Sequence, residues 1–203
     1  MSQEPEVGGA ESNHARLFIA IQLPDAVRTE LQRVQGELQQ HLPRHGAAWA
    51  RPESMHLTLR FLGNVPTTEI ARLSDKLCEA VAVFGELPLT CERLGCFPDL
   101  RHPRVVWAWV HDEADALTKL VHRIDEAVSE FAEKPAEKRF TGHITLARLK
   151  QIKRPDAERL AQLVESAVKR QFGKWTLESV SLIQSNLSPV GATYTELRKP
   201  ALR

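Results

Sequence analysis

The sequence lacks a long apolar segment. No apolar run in the 203 residues reaches the roughly 18 that a membrane-spanning helix needs, and the polar N-terminus has no signal-peptide core. Cysteine is scarce as well: Cys78, Cys91 and Cys96 are an odd number, and their spacing completes no zinc site. We expect free thiols in a reducing compartment. These absences predict a cytoplasmic protein with no membrane partner.

The chain also lacks an excess of charge of one sign. Lysine and arginine total 27 and aspartate and glutamate total 26, which gives a formal net charge of +1. A protein with this balance has no overall positive field with which to coat long nucleic acid. Binding to an RNA end or to a small nucleotide remains open.

Several widespread catalytic motifs are absent from the sequence. The chain contains no H-E-x-x-H, H-x-H, G-x-S-x-G or G-x-x-x-x-G-K-[ST]. Zinc-protease chemistry, a serine nucleophile on a strand-to-helix elbow and a nucleotide-binding P-loop therefore have no support.

One short motif, by contrast, occurs twice: His-Leu-Thr-Leu at 56–59 and His-Ile-Thr-Leu at 143–146. Side chains in a strand alternate between its two faces. His56 and Thr58 therefore share one face of the first copy, as His143 and Thr145 do in the second, while the apolar residues occupy the opposite faces. Two such strands facing each other would place two histidines and two threonines around one cleft.

This set of side chains suits acid–base chemistry on a phosphodiester. One histidine can remove a proton from a nucleophile and the other can supply one to the leaving oxygen. The threonine hydroxyls can bind phosphate oxygens. Residues 133–154 add a local charge of +5, with seven lysines or arginines, Arg148 among them, against two glutamates. Aromatic side chains that could stack a base are Trp49, Phe61 and Phe140.

The motif has two other interpretations. Matching polar faces on two half-buried strands can arise by coincidence, although the apolar residues also match in their offsets. A metal site is the second alternative. Two histidines supply two ligands, whereas catalytic zinc usually takes three from the protein, and no carboxylate or cysteine stands beside either histidine. We therefore favour a metal-free catalytic cleft. The pattern does not say which histidine is the acid.

The rest of the chain has the composition of a globular protein, with 42% hydrophobic and 26% charged residues. We expect a disordered leader at 1–13 and a single domain of two lobes at 14–203. Besides the two motif strands, of which the first ends at 63, the patterns predict strands at 17–21, 49–51, 87–94, 105–110, 175–184 and 193–197. They predict helices at 25–40, from 67 onwards, at 113–131 and at 156–172. The order favours an α+β fold with antiparallel sheets and approximate two-fold symmetry.

The segments around the two motifs resemble the 2H phosphoesterases, and specifically the RNA 2′,3′-cyclic phosphodiesterases that are often labelled 2′-5′ RNA ligases. The resemblance covers nearly everything after the leader and is carried by residues 16–24, 49–63, 95–107 and 181–194. One departure is Gly142, which precedes the second histidine where the family often has proline. Glycine is expected to loosen the approach to that strand.

The resemblance implies a bilobal α+β fold with the active site between the lobes. It implies hydrolysis of a ribose 2′,3′-cyclic phosphate, on an RNA terminus or a cyclic nucleotide, to a 2′-phosphomonoester without metal or cofactor. His56 would donate a proton to the departing 3′ oxygen and His143 would activate water. Thr58 and Thr145 would bind phosphate oxygens, assisted by Arg148. We expect a monomer. The alternatives are ATP-independent 2′-5′ joining of RNA, or a non-catalytic module that binds nucleotides or RNA ends.

Overall fold

The computed structural model describes residues 13–43, 45–150, 152–188 and 191–203. The predicted leader, apart from Asn13, lies outside the described residues. Within the described ranges the strands are β1 His14–Gln22, β2 Ala47–Trp49, β3 His56–Pro66, β4 Leu87–Phe97, β5 Val105–His111, β6 His143–Leu149, β7 Gln171–Leu177, β8 Ser181–Ser188 and β9 Gly191–Arg198. The α-helices are α1 Asp25–Gln39, α2 Ile70–Val81, α3 Ala116–Val128 and α4 Arg154–Ser166.

The strands form an antiparallel sheet in the order β7-β4-β5-β6-β3-β1-β8-β9, with β2 paired to β6. In the described residues, β3 and β6 are joined by a single residue pair, Leu57 with Ile144. The sheet therefore has two halves, β3-β1-β8-β9 and β6-β5-β4-β7, and a motif strand forms the inner edge of each. The predicted α+β fold with antiparallel strands in two lobes is confirmed. The sheets of the two lobes are continuous with each other through the pair Leu57–Ile144.

Helices cover the apolar side of the sheet. In α1 the buried side chains Val27, Leu31, Val34 and Leu38 recur at spacings of three and four and form the apolar stripe of an amphipathic helix. This helix packs against β7, and α2 packs against α3. None of the helices in the described part of the chain is long and apolar enough to cross a membrane.

Two predicted boundaries near the C-terminus are wrong. The helix predicted at 156–172 ends at Ser166, and Phe172 is a buried residue of β7. A spacing of four from Leu160 to Phe172 mimics a continuing helical stripe, but Val168 within it is 53% exposed. The strand predicted at 175–184 is the end of β7 and the start of β8. The strand is interrupted there because β7 pairs with β4, whereas β8 pairs with β1 in the other half of the sheet.

Candidate active site

The two motif strands lie next to each other at the centre of the sheet. Leu57 and Ile144, which pair across the junction, are fully buried. The histidine and threonine side chains of both motifs point to the other face and line one cavity of about 710 Å³: His56, Thr58, His143 and Thr145. The fold thus brings together the four side chains that the repeated motif predicts to meet.

Each histidine ring is tied to the main chain two residues before it. Nδ1 of His143 lies 2.7 Å from the carbonyl oxygen of Thr141, and His56 has a main-chain hydrogen bond with Ser54. A carbonyl oxygen can only accept, so Nδ1 of His143 carries the hydrogen. Nε2 is then the nitrogen that remains to exchange a proton with a ligand. The matching contact at His56 gives the two rings equivalent supports.

Aromatic side chains surround both rings. The centroid of His56 lies 4.9 Å from that of Phe18 and 5.4 Å from that of Tyr194. His143 meets Phe97 at a centroid distance of 5.0 Å and an interplanar angle of 90°. These three aromatic residues were not among the site residues predicted from the sequence. They come from β1, β9 and β4, and the signal that could have found them is their place in the segments that carry the family resemblance.

Burial changes the acid–base behaviour of His56. Removal from water, together with the neighbouring His143, lowers the pKa of His56 to about 4, against the opposing effect of the Ser54 hydrogen bond. His56 is therefore neutral near pH 7. A bound phosphate anion would oppose this effect, because a negative charge beside the ring favours its protonated form.

The lowered pKa of His56 predicts a pH-dependent stability. Below the ordinary value of 6.5 the unfolded chain takes up a proton at this residue, whereas the folded protein does so only near pH 4. The free energy of unfolding should therefore fall as the pH drops through this window, by about 2–3 kcal/mol between pH 7 and pH 4.5. Urea unfolding of His56→Gln at both pH values should show a pH-dependent loss smaller by that amount. An identical loss in the two proteins would contradict the burial effect.

A pair of β-bulges explains how Arg148 reaches the cavity. The register between β3 and β1 skips Leu59, and the register between β6 and β5 skips Leu146. Each is the third residue after a motif histidine, so both strands carry a bulge at the same place. A bulge shifts the alternation of side chains by one residue. The fifth residues after the histidines, Phe61 and Arg148, therefore return to the cavity face, and both line it.

The predicted positive segment at 133–154 only partly faces the cavity. Of its seven lysines and arginines, all of them described, Lys134 and Arg148 line the cavity. Lys138, Arg139 and Phe140 line a different cavity beside β5, so stacking of a substrate base on Phe140 at this site is not supported. Trp49 and Phe61 do line the main cavity, as do two cations that the sequence analysis missed, Arg16 and Arg51.

Gly142 has a steric role. Its carbonyl oxygen accepts a hydrogen bond from the main chain of Val110 at 2.9 Å. A Cβ atom at position 142 would lie 2.2 Å from the carbonyl oxygen of Val110. The backbone here is packed too closely for a side chain, which explains the glycine at this position. The expectation that glycine loosens the approach to His143 stays a prediction.

A buried amide braces the wall of the cavity. Gln35 on α1 is 6% exposed. Its Nε2 donates to the carbonyl oxygens of Ala50, at 2.9 Å, and of Leu146, the bulge residue of β6, at 2.8 Å. Ala50 directly precedes Arg51, and Leu146 lies between Thr145 and Arg148. The amide thus holds together two main-chain segments that present cavity side chains.

Replacing this amide should destabilise the fold. Gln35→Leu removes a donor from both carbonyl oxygens and should lower the free energy of unfolding by about 1–3 kcal/mol. Gln32→Leu, on the exposed side of the same helix, is the matched control and should change it by about 0.5 kcal/mol or less. Urea titration of both variants measures the difference. Equal stabilities would show that the Gln35 contacts contribute nothing.

Among the described residues, no group of three or more histidine, cysteine, aspartate or glutamate side chains is arranged to hold a metal ion. The three cysteines are free thiols. Cys91 and Cys96 are buried, and burial raises the pKa of each thiol to about 12. Both thiols are therefore protonated and unreactive near neutral pH.

The sequence matches a known protein family along most of its length. The model of the family described as LigT-like phosphoesterase matches residues 21–107 and, separately, residues 109–194. The chain belongs to this family. Each of the two matches contains one histidine–threonine motif.

Curated relatives and solved structures agree with this assignment. The chain is 32% identical over 183 residues to the RNA 2′,3′-cyclic phosphodiesterase of Archaeoglobus fulgidus, covering 90% of this chain and 98% of that protein. It is 33% identical over 198 residues to the enzyme of the same name from Thermus thermophilus, covering 93% and 90%. The crystal structure of TT0787 of Thermus thermophilus superposes with a TM-score of 0.75 at 30% identity, covering 93% of this chain and 98% of that one. Escherichia coli LigT complexed with 3′-AMP has the same fold, with a TM-score of 0.73 at 24% identity and coverage of 93% and 98%.

Proposed function

We propose that this LigT-like phosphoesterase hydrolyses 2′,3′-cyclic phosphates at RNA or nucleotide ends to 2′-phosphomonoesters. The observation that carries the proposal is the shared cavity, in which His56 and His143 stand beside Thr58 and Thr145 on equivalent supports. Relatives named RNA 2′,3′-cyclic phosphodiesterase, at 32–33% identity over nine-tenths of the chain, support the same activity.

In the proposed mechanism one imidazole accepts a proton from water as the water oxygen attacks phosphorus. The bond from phosphorus to the 3′ oxygen breaks, and the second imidazole gives its proton to that oxygen. The threonine hydroxyls donate to the non-bridging oxygens, and Arg148 offsets their charge. Following the family, we assign the proton donor to His56 and the base to His143. The pKa of His56 is lowered to about 4, so in this assignment the phosphate anion of the substrate raises that pKa and His56 gains its proton on binding.

The proposal needs neither metal nor nucleotide, because the histidines supply both proton transfers. It includes residues 14–203 acting as one catalytic unit, since both motifs and both halves of the sheet contribute to the cavity. We further propose that the protein acts as a monomer in the cytoplasm, a reducing compartment that is compatible with its free thiols. Light scattering during gel filtration measures the oligomeric state, and the mass of a monomer is expected.

The test uses purified protein, excess EDTA and a short RNA ending in a 2′,3′-cyclic phosphate. We expect a 2′-phosphate product, resolved from the 3′ isomer by chromatography, at the same rate with and without EDTA. Loss of activity in EDTA, restored by zinc or manganese, would contradict the metal-free mechanism. Joining of RNA ends faster than hydrolysis would favour 2′-5′ ligation. Tight binding without any product, unchanged in His56→Ala, would favour the binding module.

A further inference from the structure

The cavity continues well beyond the two histidines. It follows β3 from His56 as far as Gly63, where Arg16 and Lys134 also line it. At a rise of about 3.3 Å per residue, this stretch of strand is roughly 20 Å long. A cyclic phosphate held between the histidines occupies one end of this length. The remainder offers room for more than the terminal nucleotide.

At the far end of the cavity the segment Glu133–Lys134 docks on β3. The main-chain amide of Glu133 donates to the carbonyl oxygen of Leu62 at 2.8 Å. Nδ2 of Asn64 donates to the Glu133 carboxylate, also at 2.8 Å. The carbonyl oxygen of Lys134 accepts a hydrogen bond from Nη2 of Arg60 at 2.7 Å. A segment that follows α3 in the chain is thereby held against the strand that carries the first motif.

The guanidinium group of Arg60, which donates to the carbonyl oxygen of Lys134, is buried. Arg60 is 7% exposed, because the bulge at Leu59 turns it away from the cavity. Its Nε lies 2.7 Å from the carboxylate of Asp125 on α3. A buried ion pair is weak evidence for stability alone, because desolvation offsets much of its attraction. The remaining contact of Arg60 fixes the main chain of Lys134, which points to a positioning role.

Gly63 allows the segment to approach. Its φ of +82° lies in the left-handed region, and a Cβ atom there would be 2.2 Å from the Glu133 carboxylate. Hydrogen bonds from Asn64 lower the pKa of Glu133, and the charges of Lys134 and Arg16 act in the same direction. This end of the cavity therefore holds two cations and one ionised carboxylate, a net charge of +1.

We propose that Arg16 and Lys134 form a second phosphate subsite, which binds a phosphodiester upstream of the cyclic phosphate, with Arg60 as its positioning residue. Phe61, 60% exposed, lies on β3 between the two ends, where an intervening base can contact its ring. The inference rests on the proposed function and narrows it: the preferred substrate is an RNA strand of several nucleotides, and a cyclic mononucleotide uses only half of the cavity.

The test compares kcat/KM on three substrates at one salt concentration. They are 2′,3′-cyclic AMP, a tetranucleotide ending in a 2′,3′-cyclic phosphate, and the same tetranucleotide with uncharged methylphosphonate linkages. The native tetranucleotide should exceed the mononucleotide by about tenfold or more, the size of one charge-assisted contact, mainly through a lower KM. The methylphosphonate version should lose that advantage. Equal kcat/KM on the charged and uncharged tetranucleotides would overturn the subsite.

Substitutions test which residues produce the preference for the tetranucleotide. Lys134→Met and Arg16→Met should each lower the ratio of tetranucleotide to mononucleotide kcat/KM about tenfold. Lys138→Met, which removes a lysine outside this cavity, is the control and should not change the ratio. Arg60→Lys keeps a charge facing Asp125 but cannot reproduce both guanidinium contacts, so it should lower the same ratio. A general loss of folding would instead lower both rates together.

The outcomes separate this inference from the proposed function. Hydrolysis of all three substrates with no preference among them would overturn the subsite and leave the phosphodiesterase intact. No hydrolysis of any substrate by the unmutated protein would overturn the proposed function itself. A Lys134→Met variant that keeps the urea stability of the unmutated protein but loses activity equally on mononucleotide and tetranucleotide would place this lysine at the cyclic phosphate and contradict the upstream role.

Discussion

Replacing either cleft histidine with alanine is expected to lower kcat for cyclic-phosphate hydrolysis by about 10²–10⁴-fold, the usual contribution of a positioned acid or base. His56→Ala removes the proton donor in our assignment, and His143→Ala removes the base. Both changes act on one chemical step. The double variant should therefore lose little more than the worse of the two single variants. Single-turnover kinetics on an RNA ending in a cyclic phosphate measures all three.

The controls distinguish chemistry from folding. His122→Ala removes an exposed histidine of α3, away from the cavity, and should leave kcat unchanged. His56→Ala and His143→Ala should also bind a 2′-phosphate product, since Thr58, Thr145 and Arg148 remain in place. A loss of less than tenfold in either single variant would remove that histidine from the proposed mechanism.

The faces of the two motif strands could be predicted from the sequence because the alternation of side chains holds in any strand. The same rule fails five residues further on. It turns Phe61 and Arg148 towards the core, whereas the bulges at Leu59 and Leu146 return both to the cavity. A bulge depends on the register with a partner strand, and that register is not visible in either motif alone.

Other parts of the site depend on contacts between distant segments. Arg16 and Arg51 reach the cavity because β1 lies beside β3 and β2 beside β6. Local charge density favoured 133–154 instead, yet the chain at 138–140 passes along a different cavity. Periodicity also extended a helix to Phe172, which the fold uses in β7. Composition and spacing describe residues that are close in sequence. These errors all occur where contacts between residues distant in sequence determine the structure.

The junction between the two halves of the sheet should be the most sensitive point of the core. Leu57→Ala is expected to lower the free energy of unfolding by about 2–5 kcal/mol, because the side chain is fully buried and leaves a cavity. Leu57 also pairs with Ile144, and each of these residues directly follows a motif histidine. A shift of the inner strands would therefore move His56 relative to His143. A displacement of about 1 Å at reacting groups can cost on the order of 10²-fold in rate.

Urea unfolding and kcat, both measured well below the melting temperature, separate the two effects of Leu57→Ala. Leu57→Met conserves volume and should cost less than about 1.5 kcal/mol, with activity retained. Val83→Ala, at a site 70% exposed, should change stability by about 0.5 kcal/mol or less. If Leu57→Ala is destabilised but fully active while folded, the spacing of the histidines must be set elsewhere. The candidate is then the docking of Glu133–Lys134 on β3, because this segment lies between α3 and β6 in the chain and contacts the other half of the sheet.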